Sequence, residues 1–236
     1  MSGVWLEELT WIEAKARFDA DPVVIIPIGA ASKAHGAHLP LKTDALTALA
    51  LWQRLIERLP VVAAPVVGFG YYPAFTPFAG SQHLTPDTFK ALMRELIGGL
   101  AAHGVRRIAL INTGVSTETP LDEVAAETGA LVLHMRLMGW AAEGLIEHKE
   151  GGHADERETS VVLALDARSV RMDRLAPAPD FEQSAATGDP TRASAFKGER
   201  LLAARIDDMV AGLVSRWPDL AASVAGSAHL QTRRSS

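Results

Sequence analysis

Cysteine is absent from the 236-residue chain. That excludes disulfide bridges, thiolate metal ligands and a cysteine nucleophile. A basic surplus is missing too: 23 Lys and Arg stand against 28 Asp and Glu, for a formal net charge of −5. Nothing in that balance recommends a nucleic-acid partner. The apolar runs are too short to span a bilayer, so no membrane partner is expected. Met1–Glu8 has neither a basic n-region nor an apolar h-region, so no secretory signal is expected. With the lack of cysteine, this points to a cytoplasmic protein. Internal repeats and domain linkers are also missing. What remains is ordinary globular composition, 48% hydrophobic and 22% charged, enough to bury a core of its own. One α/β domain is expected over residues 1–225, with residues 226–236 as a frayed tail.

Short apolar runs alternate with helical periodicity. Val23–Ile28, Val61–Val67, Arg107–Asn112 and Ala130–Met135 read as strands. Helices are expected over Thr43–Leu59, Thr85–His103, Pro120–Thr128, Glu156–Leu165 and Lys197–Trp217. Ala176–Asp189, rich in Ala and Pro, reads as a surface excursion. This alternation predicts an α/β fold with a mostly parallel sheet covered on both faces. Ligands of such sheets bind beyond the carboxyl ends of the strands. The loops after Ile28, Val67 and Asn112 are therefore expected to meet on one edge.

Two clusters carry candidate chemistry. The first follows Ile28 and holds His35, His38 and Asp44, a donor set suited to Zn²⁺, Mn²⁺ or Fe²⁺. Gly36 lets the backbone turn tightly there. A purely structural reading also fits: Thr43 as N-cap, with Asp44 favouring the helix dipole. The second is Gly151-Gly152-His153-Ala154-Asp155-Glu156-Arg157-Glu158. Asp155 and Glu158 have capping-box-like spacing. His153 and Glu156 then have no structural duty and are the stronger functional candidates. Gly114-Val115-Ser116-Thr117-Glu118 lacks the final glycine of a nucleophile elbow. Gly68-Phe69-Gly70 lacks the rest of a dinucleotide fingerprint.

Together the clusters resemble the creatininase (creatinine amidohydrolase) family. His35–Asp44 resembles its HGPHLPLxTD segment, Phe78–Ser81 its FPGT/S loop, and Gly152–Ser160 its GHAGExETS segment. Gly188-Asp189-Pro190-Thr191, followed by Lys197-Gly198, resembles a later family stretch. The likeness runs in register over about residues 9–215. It implies a three-layer α/β/α fold, often assembled as a homohexamer. It also implies a two-metal centre that activates water to cleave a non-peptide C–N bond of a small amide, lactam or formamide. Known members open the creatinine ring, remove formyl groups in cofactor biosynthesis, or trim a modified peptide in mycofactocin maturation.

Two departures from the family pattern matter. Lys33 stands where the family has a ligand glutamate, and Gly114 where it has a ligand histidine. Both losses fall on the same metal. The resemblance therefore implies one divalent ion per chain (Zn, Mn or Fe), held by His35, Asp44 and Glu156, with Asp155 or Glu158 as substitutes for Glu156. His153 and Glu158 are the expected catalytic residues, with His153 as general acid or, equally, a replacement ligand. Lys33, His38 and Ser116 are expected around the substrate, although His38 also suits a loop-fixing role. Lys33 either supplies charge to an oxyanion from the vacated metal position or is a solvent-facing surface lysine. A degenerate homologue that binds a small ligand without turning it over remains the alternative function.

Overall fold

Every residue of Val23–Ile28 is buried, so this strand needs cover on both faces. The computed structural model, which describes residues 3–178 and 180–222, supplies it. The expected tail at 226–236 lies outside the described residues. In chain order the elements are β1 (Val4–Trp5), α1 (Trp11–Phe18), β2 (Val23–Ile28), α2 (Thr43–Arg58), β3 (Val62–Ala63), α3 (Pro86–Ala102), β4 (Arg107–Asn112), α4 (Glu118–Thr128), β5 (Leu131–His134), β6 (Gly151–His153), α5 (Glu156–Asp166), α6 (Phe181–Ser184), β7 (Thr187–Gly188) and α7 (Ala195–Arg216).

The main sheet has the order β1-β3-β2-β4-β5, and every pairing in it is parallel. Because side chains alternate along a strand, each face of the sheet builds its own core. Val23, Ile25, Ala109 and Ile111 face one way and pack with Leu51, Trp52 and Leu55 of α2, Val161 of α5 and Leu201, Met209 and Leu213 of α7. Val24, Ile26, Ile108 and Leu110 face the other way and pack with Phe89, Met93 and Ile97 of α3 and Leu121 and Val124 of α4. The result is the expected three layers, helices on both sides of a parallel sheet.

The boundaries shift for physical reasons. The run expected as a strand over 61–67 pairs continuously only at Val62–Ala63, because Pro65 has no N–H to offer the ladder. Val67 rejoins β2 through a single bridge to Ile28. α4 begins at Glu118, two residues ahead of Pro120, because proline is tolerated in the first turn, where its missing N–H costs nothing. The excursion over 176–189 contains α6 and β7. β7 pairs antiparallel with β6 to form a second small sheet. α1 and β1 also went unread in the sequence, although Thr10 and Glu13 form a full capping box at the start of α1.

α5 and α7 pack directly against each other. A Cβ built on Gly198 would lie 1.9 Å from the Ser160 carbonyl oxygen, so only glycine lets the two backbones approach this far. Gly198→Ala must push α7 off α5. It is expected to cost roughly 3 kcal/mol, read as a lower urea midpoint with an unchanged m-value.

Candidate metal centre

β2 and β4 run parallel and in register, with Ile28 opposite Asn112, so their following loops leave from the same edge. The Thr113 N–H donates to the Ile28 carbonyl at 3.1 Å, and the Ala45 N–H to the Ala30 carbonyl at 3.1 Å. The first bond ties the loop after β4 to the end of β2, and the second fastens the first turn of α2 against it. Gly29 makes that approach possible, since a Cβ there would lie 2.5 Å from the Asp44 carbonyl oxygen. Thr43 does not cap this helix; Lys42 holds the cap position without a side-chain bond. The Thr43 hydroxyl instead donates to the Pro40 carbonyl at 2.7 Å.

Asp44 thereby enters the interior. Its Oδ2 lies 2.6 Å from Lys33 Nζ, and its Oδ1 lies 3.0 Å from His35 Nε2. Burial works against the carboxylate charge, but Lys33 and His35 outweigh it and hold the Asp44 carboxyl well below the usual range. Lys33 is only 5% exposed, which rules out the surface-lysine reading. Its ammonium lies 4.9 Å from the centre of the Phe75 ring, a cation–π contact. Gly114 faces the same side: a Cβ there would meet Thr117 Oγ1 at 3.3 Å and Asp44 Oδ2 at 4.0 Å.

The tautomers follow from the partners. His35 Nδ1 lies 2.8 Å from the Lys33 carbonyl, which can only accept, so Nδ1 carries the proton and Nε2 points inward. Nε2 then faces Asp44 Oδ1, 3.0 Å away. His153 Nε2 donates to the Ala34 carbonyl at 2.9 Å, which leaves its Nδ1 lone pair directed at Glu158 Oε2, 3.7 Å away. Burial, with the charges of His35 and Lys33, drives the His153 pKa well below the ordinary imidazole value. Glu158 Oε2 also accepts the Ala154 N–H at 2.6 Å. Ala154 takes a left-handed φ of 52° there, an uncommon conformation outside glycine. Burial, helped by the charge of Asp44, raises the Glu158 pKa against the opposing pull of His35 and Lys33.

One ligand atom each from His35, His153 and Glu158 lies within 4.8 Å of the others. Two imidazole nitrogens and a carboxylate form a donor set that fits a single divalent ion. Both rings are oriented by backbone carbonyls through their other nitrogens, as metal-ligating histidines usually are.

Several expected site residues lie elsewhere. Glu156, expected as a ligand, does not reach the cluster. Its carboxylate accepts the N–H groups of Glu147 at 3.0 Å and His148 at 2.7 Å and also binds Lys197 Nζ. The helical turn from 156 to 158 sends the two glutamates to different sides, and Glu158 is the one that faces His153. His38, expected near the substrate, is buried, and its Nε2 bonds Thr159 Oγ1 at 2.8 Å. Burial and His35 lower its pKa to about 4. His38 therefore fixes the loop to α5. Ser116 lines a narrow cleft with Lys33, Asp44 and Gly114. Asn112 turns back on its own loop, accepting Gly114 N–H at 3.1 Å and Thr117 Oγ1–H at 2.7 Å. Phe181 of α6 was not foreseen. It packs edge-on against Phe75, ring centres 5.2 Å apart, and closes the apolar wall behind His153.

Comparison with known proteins agrees with this geometry. The family model for creatinine amidohydrolase matches residues 7–213. The chain is 31% identical over 225 residues to a mycofactocin precursor peptide peptidase of Mycobacterium tuberculosis (strain CDC 1551 / Oshkosh), covering 83% of this chain and 86% of that protein. Among solved structures it superposes on a manganese creatininase with a TM-score of 0.77 and 25% identity, covering 92% of this chain and 99% of the other. A mutant creatininase of Zn-Zn type superposes with a TM-score of 0.78 at 26% identity, covering 92% of this chain and 100% of the other. With a family model spanning nearly the whole described fold and a donor cluster at the edge where the family's motifs converge, the chain belongs to the creatininase family.

Proposed function

We propose that this chain is a metal-dependent hydrolase that cleaves an amide-type, non-peptide C–N bond of a small molecule with one divalent ion, Zn, Mn or Fe. The observation that carries the reading is the convergence of His35, His153 and Glu158 within ligand distance of one another. Relatives bearing the names peptidase and amidohydrolase both support C–N hydrolysis. When bound, the ion supplies the Lewis acidity that makes water a nucleophile near neutral pH.

The chain's own residues divide the remaining work. His35 and His153 present lone pairs held in place by the Lys33 and Ala34 carbonyls. His153 is kept uncharged, which suits a ligand better than the general acid expected from its position. Glu158 supplies the third donor, its Oε2 3.7 Å from His153 Nδ1 and steadied by the Ala154 N–H. Asp44 fixes Lys33, and the ammonium stands as a preorganised positive charge for the developing oxyanion.

Protein purified without added metal is expected to carry about one ion per chain by plasma emission spectrometry. Amide hydrolysis should vanish on chelation and return with Zn²⁺, Mn²⁺ or Fe²⁺. His35→Ala should lose the ion, whereas Glu156→Gln should keep it and only melt earlier. Two ions per chain, or none after reloading, would overturn the mononuclear site.

Lys33→Met separates structure from chemistry. In chelated protein it leaves the buried Asp44 carboxylate without its ammonium, and stability is expected to fall by about 3 kcal/mol in denaturant titration. Adding Asp44→Asn should recover much of that loss. In the metal-loaded protein kcat is expected to fall about 100-fold with a smaller change in KM. A kcat within a factor of two of the unmodified protein would remove Lys33 from the reaction.

A further inference from the structure

Beside Glu158 lies a cavity of about 260 Å³ that the proposed chemistry leaves unused. Thr113, Met135, Met138 and Trp140 form part of its wall, and Arg205 of α7 lies at its base with Glu158 on the same lining. Arg205 is 6% exposed. Its Nε is buried with no hydrogen-bond partner, and among the described residues its guanidinium makes no hydrogen bond or ion pair. A buried arginine with no direct partner is costly; burial lowers its pKa, against the opposing pull of the nearby Glu158, Asp155 and Glu143 carboxylates.

The neighbouring acids are already engaged. Arg157 binds Glu143 through Nε at 3.0 Å and Nη2 at 2.8 Å. It also binds Asp155 Oδ2 through Nη1 at 3.1 Å. The other Asp155 oxygen caps α5. Arg136, also on the lining, is taken by Glu118. The fold takes trouble to keep Arg205 where it is: Gly139 leaves room for its stem, since a Cβ there would lie 2.8 Å from Arg205 Cγ.

We propose that Arg205 is a substrate anchor that binds a carboxylate in this cavity, so that the hydrolysed molecule is an amide carrying a free carboxylate at its other end. A guanidinium matches a carboxylate with two parallel N–H···O bonds. A phosphate fits less well, because it would bring nearly two negative charges beside the carboxylates of Glu143, Asp155 and Glu158 on the same lining. The apolar wall accommodates the methylene linker between the two ends. Calling the bound molecule a substrate rests on the hydrolase reading; the anion preference itself does not.

The test uses the full metal-loaded chain and calorimetric titration with malonamate, succinamate, glutaramate and adipamate, each beside its uncharged diamide. At least one carboxylate is expected to bind tenfold or more tightly than its diamide. Arg205→Met, which keeps much of the buried stem, should erase that preference, and Arg205→Lys should keep part of it. Equal binding of every acid and its diamide, or an intact preference in Arg205→Met, would overturn the proposal. Should the variants fail to fold, the comparison within the unmodified protein still decides. Ammonia release is measured separately. Arg205-dependent binding without ammonia leaves the anchor standing and sinks the hydrolase reading; ammonia release with no preference for the acids does the reverse.

Discussion

The buried carboxylate of Asp44 is the constraint around which the rest of the site is arranged. A charge at that depth is tolerated only with compensation from close range. Lys33 and His35 provide it from a loop that doubles back onto Asp44 over eleven and nine residues. That loop is held by main-chain bonds to the ends of β2 and the first turn of α2, and it positions the carbonyls of Lys33 and Ala34 that orient both histidine rings. Removing the charge at Asp44 would therefore loosen the orientation of groups that never touch it.

The two departures from the family pattern act together at this point. At position 33 a cation stands where an anionic ligand is usual, and it bonds the Asp44 oxygen that faces Gly114. The ammonium balances the Asp44 charge from within the chain itself. His153 and Glu158 gather on the other side of His35, where their free donors face one another.

Much of the architecture was legible in the chain because it depends on periodicity. Val23–Ile28 and Arg107–Asn112 are apolar throughout and flanked by helical patterns, and they form the centre of the sheet as read. The edges were less legible. β3 is shortened by a proline inside an otherwise apolar run, and β6 and β7 are too brief to show alternation. Within the site, His35 and Asp44 were found because they lie close together in one loop, and Lys33 because it stands where the resembled family has a ligand glutamate. Choosing between Glu156 and Glu158 was beyond spacing, since both begin the same helix and only its rotation decides which carboxylate meets His153. Arg205 gave no signal at all: one more arginine on an amphipathic helix looks solvated until the cavity beside it is seen.

His153 is tied to Ala34, and His38 to Thr159, across gaps of 119 and 121 residues. Such closures, like the parallel pairings of the sheet, form late, because the entropy of long loops must be spent before the contacts return anything. Of the three donors, His153 and Glu158 are sequence neighbours, but His35 joins them only once these long-range closures are made. The complete cluster therefore exists only when both halves of the sequence have reached their final partners.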